Sequence, residues 1–384
     1  MMKYFMNDLH MEIIQRKLDV GTLAENCKMD RTNLSRTLAG TIKEMKFDSF
    51  LLLIEEIYEH WEDKKVNIQK FTTLCEGDLN IKKILCHCQT IGDYETIEKV
   101  ITKCLKNKKK KKIHRVLNLY SIYNKRNLKR INGQELKDTI SNERFYQNAE
   151  CQVVVEMLNG FAMYDMQNYR AMIPHSKQIS KYLPNVKNTF IKENLSLQHE
   201  ERRAFIKLMS NDVAGCREIA MEIIKKAPRM SVICAKALSC LAESYIIDNP
   251  LLAEEYFLES LKLIEEIGIA KHSLFYQSVH STLAFLRIEY GFHLNMIKWE
   301  YVGESERAFF EAKFGNKLLA KAYFDGLKEN GKKLSAYKLY YLYHIEKNDI
   351  ILLKESLEKF SENGNFFYGN IVTNHLLSRG SEIK

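Results

Sequence analysis

Only four of the 384 residues are proline and 16 are glycine. Strand-rich folds reverse direction at short intervals and need turn formers there, so this scarcity disfavours sandwiches and barrels and favours long helices joined by short loops. No apolar run reaches the roughly 18 residues of a membrane span. No charged start, apolar middle and small-residue cleavage site mark a secretory signal. The nine cysteines, scattered from Cys27 to Cys240, therefore read as reduced, mostly buried thiols of a cytoplasmic protein. A Gly-rich phosphate loop and a nucleophile elbow are also missing. Cys86-His87-Cys88 looks like a metal site, but its alternation cannot put both sulfurs on one helix face, and no second ligand pair stands at zinc spacing. The acidic pairs Glu254-Glu255 and Glu265-Glu266 fall on helical patterns, where solvated faces are expected. The sequence thus predicts no catalytic residue, no metal and no cofactor.

What is present is apolar and mildly basic. Hydrophobic residues make up 46% of the chain and the formal net charge is +9, which permits a large core and an acidic partner. The stretch GTLAENCKMDRTNLSRTLAG, Gly21 to Gly40, spaces Leu23, Ala24, Cys27, Met29, Leu34 and Leu38 by three and four residues, as two short amphipathic helices do. Asp30 is placed to cap a second helix running from Arg31 to about Ala39, with Gly40 ending it. Outside the apolar stripe lie Arg31, Thr32, Asn33, Ser35 and Arg36, and Arg and Asn are the side chains that read guanine and adenine edges in the major groove. The stretch resembles the helix-turn-helix of Xre/Cro-type regulators at Leu23-Ala24, Met29, Arg31, Leu34-Ser35-Arg36 and Gly40. One departure is Lys28, which occupies the turn position where that pattern has glycine. Lys28, Arg31, Thr32, Asn33, Ser35 and Arg36 are the candidate DNA-binding residues, and two helices that merely pack are the alternative.

The expected organisation is a helix-turn-helix domain over 1–58, a linker over 59–80 with a polar joint at Asp63–Asn67, and a helical-repeat domain over 81–384. A first helix is predicted around Tyr4–Leu18 and a fourth at FDSFLLLIEEIYEHW. Beyond the linker, helix pairs recur every 35 to 45 residues or so, the signature of a tetratricopeptide-like solenoid. One pair turns at Gly92-Asp93 and another covers SVICAKALSCLAESYIIDNPLLAEEYFLESLKLIEEIG; further turns are predicted at Asp165–Asn168, Ser210–Asp212, Phe314–Asn316 and Lys347–Asp349. The first helices of successive pairs in such a solenoid line a concave groove able to clamp an extended peptide. Between Lys99 and Gln134 stand 13 basic residues and no acidic one, a candidate phosphate-contacting block or a solvated loop.

KKIHRVLNLYS, LMSN, CREIA, NPLLAEEYFLESL and the C-terminal YYL…KESLEKF resemble the AimR family, the arbitrium receptors of temperate phages of Bacillus-type bacteria. The resemblance implies an all-α protein with an N-terminal helix-turn-helix and a peptide-sensing superhelix. It implies a cytoplasmic homodimer that binds double-stranded operator DNA and activates a lysis-promoting gene, until a phage-encoded hexapeptide occupies the groove and lysogeny follows. Phe205 and Met209 stand where family members place asparagines, and Asn365 where they place an aspartate; either the alignment slips there or the groove reads a different peptide. Polar residues on presumed inner helices, Gln198, Arg202, Arg229, Glu243, Gln277 and Asn365, are the candidate peptide contacts, with Arg202 and Arg229 the candidates for the peptide carboxylate. Leu352, Leu353, Leu357, Phe360 and Phe366 are candidates for part of a subunit contact. The competing reading is a Rap-like solenoid that binds a signalling protein instead of DNA.

Overall fold

Asp30 caps a helix, as its position predicts. In the computed structural model, which describes residues 1–143, 148–346 and 349–382, every regular element among the described residues is helical. The chain opens with α1 (Met2–Gln15), α2 (Val20–Asn26), α3 (Arg31–Leu38), α4 (Phe47–Ile57) and α5 (Trp61–Leu74). The Asp30 carboxylate accepts from the Asn33 N–H at 3.1 Å and starts α3. Gly40, at φ 68°, ends it. Lys28 is left-handed as well, at φ 54°. Its N–H bonds the Glu25 carbonyl at 2.9 Å while the Met29 N–H bonds that of Ala24 at 2.8 Å, a Schellman close built without glycine.

Residues 59–80, expected as a linker, are largely helical. Most of that stretch is α5, whose Ile68, Phe71 and Thr72 are buried, with the Phe71 ring stacked on Phe50 of α4 at 4.0 Å. The polar residues at Asp63–Asn67 belong to the helix and make no joint. After α5 come α6 (Asp78–Ile91), α7 (Tyr94–Lys106), a 3₁₀ turn at Lys108–Ile113 and α8 (His114–Asn127). The predicted turn at Gly92-Asp93 is present: Gly92 is left-handed at φ 88° and Asp93 caps α7 through the Thr96 N–H. Glu44 anchors the loop before α4 to the start of α6. Its carboxylate accepts from the backbone N–H groups of Glu76 and Gly77 and from Asn80 Nδ2, at 2.6, 3.1 and 2.6 Å.

The chain continues through α9 (Gly133–Asn142), α10 (Ala149–Asp165), α11 (Met172–Tyr182), α12 (Thr189–Met209), α13 (Val213–Lys226), α14 (Val232–Ser244) and α15 (Pro250–Ile267). It ends with α16 (Leu274–Tyr290), α17 (Glu304–Phe314), α18 (Lys317–Glu329), α19 (Ala336–Tyr343), α20 (Ile350–Asn363) and α21 (Phe366–Glu382). The turns expected at Asp165–Asn168, Ser210–Asp212 and Phe314–Asn316 each separate two helices. Of the turn expected at Lys347–Asp349, Lys347 lies outside the described residues, and Asp349 caps α20.

Two compact units result. One comprises Met1–Asn124, Glu143–Val154 and Tyr182–Ser196; the other comprises Lys125–Asn142, Val155–Lys181 and Leu197–Lys384. The N-terminal helices therefore share a unit with α6 and α7. In the second unit α20 packs on both α19 and α21. Leu352, Leu353 and Phe360 are buried there, and of the expected subunit-contact residues Phe366 is the exposed one.

Candidate functional site

The second unit holds a half-open cavity of ≈ 360 Å³. Its wall comes mostly from alternate helices, α16 and α17 being the one consecutive pair: α10 and the turn after it (Tyr164, Gln167, Tyr169), α12 (Phe205, Met209), α14 (Glu243), α16 (Ser278, Ser281, Thr282, Phe285), α17 (Ser305, Glu306), α19 with its cap (Ser335, Tyr337, Lys338, Tyr341) and α21 (Tyr368). None of these residues belongs to α13, α15, α18 or α20. That alternation is what a solenoid of paired helices produces, one helix of each pair facing the groove and its mate the outside.

The wall is aromatic and hydroxylated, with two carboxylates and one ammonium. Tyr164 and Tyr169 meet Phe205 edge-on or tilted at 5.1 and 5.8 Å. Tyr337 meets Tyr368 at 5.1 Å. The Tyr368 hydroxyl donates to Glu243 Oε1 at 2.7 Å. Burial pushes the Glu243 carboxyl up to about 7, against the opposing pull of that hydrogen bond. Burial raises Glu306 to about 7 as well. Both groups therefore change charge near neutrality, and each is stabilised in its ionised form by a cation brought into the cavity.

Of the six predicted peptide contacts, Glu243 lines the cavity. Asn365 is fully buried behind it: its Oδ1 accepts from the Tyr368 N–H at 3.2 Å and its Nδ2 donates to the Tyr337 hydroxyl at 3.1 Å, so it sets the two tyrosines. Arg202 is also buried in the second layer. Its guanidinium lies over Phe161, Tyr164 and Phe205 at 4.6, 5.5 and 5.7 Å and pairs with Glu201 at 3.0 Å. Gln198 is buried on α12, and Gln277 accepts from Lys129 at 2.7 Å. Arg229 sits exposed in the bend between α13 and α14, three residues before α14 begins rather than at its start. Lys338 is the cation on the wall, and the sequence reading passed over it together with Glu306. Phe205 and Met209 reach the cavity and give its wall an apolar surface.

In the first unit Lys28, Arg31, Thr32, Asn33, Ser35 and Arg36 are all exposed, and Leu23, Leu34 and Leu38 are buried beneath them. The basic block is partly consumed by the fold. Lys103 donates to the carbonyls of Thr73 and Cys75 at 2.7 and 2.8 Å, Lys110 pairs with Asp78 at 2.7 Å, and Arg126 forks onto Asp165 at 2.7 and 3.2 Å. Lys109, Lys111, Lys112 and Arg115 remain exposed, while the side chain of Lys108 lies outside the described part of the structure. Cys86-His87-Cys88 is closed core: burial pushes the Cys86 thiol up to about 12 and lowers His87 to about 4, and the His87 ring packs on Phe47 at 5.5 Å. Among the described residues no helix is long and apolar enough to cross a membrane.

Comparison with known proteins agrees with this architecture. A family model described as AimR transcriptional regulator-like matches residues 65–378. A solved structure of phAimR with a ligand shares 16% identity at a TM-score of 0.73, over 86% of this chain and 96% of that one. A selenomethionine phAimR structure has a TM-score of 0.61 at 16% identity and covers 97% of each chain. Among curated proteins, an uncharacterised Bacillus anthracis protein, pXO2-35, is 26% identical over 244 residues, 62% of this chain and 89% of its own length.

Proposed function

The chain belongs to the AimR transcriptional regulator-like family, and from that premise we propose that it is an arbitrium-type regulator that binds operator DNA through α3 and is switched off by a short peptide held in the cavity. The observation that carries the peptide half is the cavity itself, a half-open space of ≈ 360 Å³ lined mostly by alternate helices of the repeat unit. Hydroxyls and tyrosines suit a peptide backbone, Lys338 suits a C-terminal carboxylate, and Glu243 and Glu306 suit a cationic side chain or amino terminus. The exposed set Lys28, Arg31, Thr32, Asn33, Ser35 and Arg36 over a buried leucine layer supports the DNA half. A homodimer is part of the reading, since two-fold operators match two-fold proteins. Activation of a lysis-promoting gene and its loss on peptide binding complete it.

Gating follows from differential affinity. A peptide that binds one arrangement of the receptor better than the DNA-competent arrangement depletes the latter by that difference alone. The test is a titration of fluorescent duplex DNA from the neighbouring promoter at two salt concentrations, with and without the phage's own peptide. Tight, salt-sensitive and sequence-dependent binding that the peptide abolishes supports the proposal. No sequence preference in either salt, with capture of a signalling protein instead, supports the Rap-like alternative.

A further inference from the structure

Away from the cavity contacts, three side chains distant in sequence converge where α16, α19 and α21 meet: Glu289 near the end of α16, His344 just past the end of α19, and His375 on α21. Their ligand-capable atoms all lie within 4.8 Å of one another. His375 Nε2 stands 3.0 Å from Glu289 Oε1 and 2.8 Å from the Tyr340 hydroxyl. The imidazoles of His344 and His375 face edge to face, at 90° with centroids 5.6 Å apart. Lys313 Nζ holds the other carboxylate oxygen, Oε2, at 3.2 Å, which leaves Oε1 turned toward the imidazoles.

We propose that Glu289, His344 and His375 form a binding site for a divalent transition-metal ion of the zinc type, joining three helices of the repeat unit. Two imidazole nitrogens and one carboxylate oxygen favour zinc, cobalt, nickel or copper over magnesium or calcium, which take oxygen donors. Neighbouring ligand atoms in a tetrahedral zinc site stand about 3.3 Å apart, given bonds of about 2.0 Å, and the 3.0 Å between His375 Nε2 and Glu289 Oε1 already approaches that. Glu289 is the anionic ligand: Lys313 Nζ engages its Oε2 at 3.2 Å while its Oε1 stands 3.0 Å from His375 Nε2, facing the imidazoles. Lys313 acts as an outer partner that orients the carboxylate, the usual accompaniment of a ligating acid. The side chain of Glu289 is 6% exposed and that of His375 31%, so the ion has a route in while the ligands remain fixed.

The experiment is a titration of the full chain with Co²⁺ followed by competition with Zn²⁺, read in the visible and near-ultraviolet. The expected result is one equivalent bound with ligand-field bands and no thiolate charge-transfer band, displaced by Zn²⁺. His344→Gln and His375→Gln should each weaken uptake at least about tenfold. Melting temperatures measured in chelator identify any variant that has lost its fold, and Glu289→Gln then serves in its place. No saturable uptake by the wild-type chain, a sulfur-ligated spectrum, or uptake unaltered in folded variants would each overturn the site.

Discussion

The Tyr368 hydroxyl donates to Glu243 Oε1 across the cavity wall at 2.7 Å, tying α21 to α14. The bond stabilises the ionised carboxylate against a burial that favours the neutral acid. Tyr368→Phe removes the donor without emptying the wall, so Glu243 should titrate above its present value of about 7. At pH 7 the variant should then bind a cationic peptide several-fold more weakly, with the deficit narrowing as pH rises. Calorimetry at pH 7 and pH 8 checks this; equal affinity in both proteins would detach Glu243 from peptide recognition.

Stability carries the same carboxyl in the opposite direction. Its folded pKa, about 7, lies above the ordinary glutamate value of about 4.3, so between the two the folded state holds a proton that the unfolded chain has released. Unfolding free energy should therefore fall as pH climbs through that window. Glu243→Gln should flatten this slope. Denaturant melts at pH 5 and pH 7.5 measure it, and an unchanged slope would show that the group is more solvated than its place in the wall implies.

Glu44 should behave as the converse. Burial raises its carboxyl, but the hydrogen bonds from the Glu76 and Gly77 backbones, Cys75 and Asn80 outweigh it and leave the group lowered. Its contribution is therefore full above the ordinary glutamate value of about 4.3 and is lost as pH falls through its folded value. Glu44→Ala should cost about 1 to 3 kcal/mol at neutral pH, from donors left without a partner, and the cost should shrink under acid.

On the proposed DNA face, Asn33→Ala should relax preference at one base pair by roughly 1 to 3 kcal/mol and leave the melting temperature near that of the parent, because its side chain is exposed. Replacing Lys109, Lys111 and Lys112 by Gln should instead weaken binding evenly across sequences and flatten the salt dependence. Footprints on mutated operators and a salt series separate the two. A salt slope identical to that of the parent would return the lysines to a solvated turn.

Elements whose ends are set locally were legible. Asp30, Gly40, Gly92, Asp93 and Asp212 make caps and turns out of a few neighbouring atoms, and each sits where its side chain or backbone predicts. Elements set by distant partners were not. Asp63–Asn67 reads as a joint because Phe71 meets Phe50 only after the chain has folded back. The cavity was half legible: its location on alternate helices follows from the repeat, and Glu243 is a polar residue on such a helix. Glu306 and Lys338 resemble any solvated charge, and the tyrosines of the wall resemble core aromatics, until the curvature of the unit decides which way each faces. The position of Arg202 was not legible for a related reason. A guanidinium on an inner helix reaches either the groove or the ring layer behind it, and here Phe161 captures it.

The left-handed lysine just past the end of α2 sets folding against the recognition proposed for it. Holding Lys28 at φ 54° costs about 1 kcal/mol that glycine would not incur, and the turn forms regardless. Lys28→Gly should raise the melting temperature and, if that cation meets phosphate, loosen the operator complex in the same protein. Were Lys28 to meet phosphate as proposed, keeping lysine there would trade durability for grip, and two assays of opposite sign on one substitution would measure the exchange.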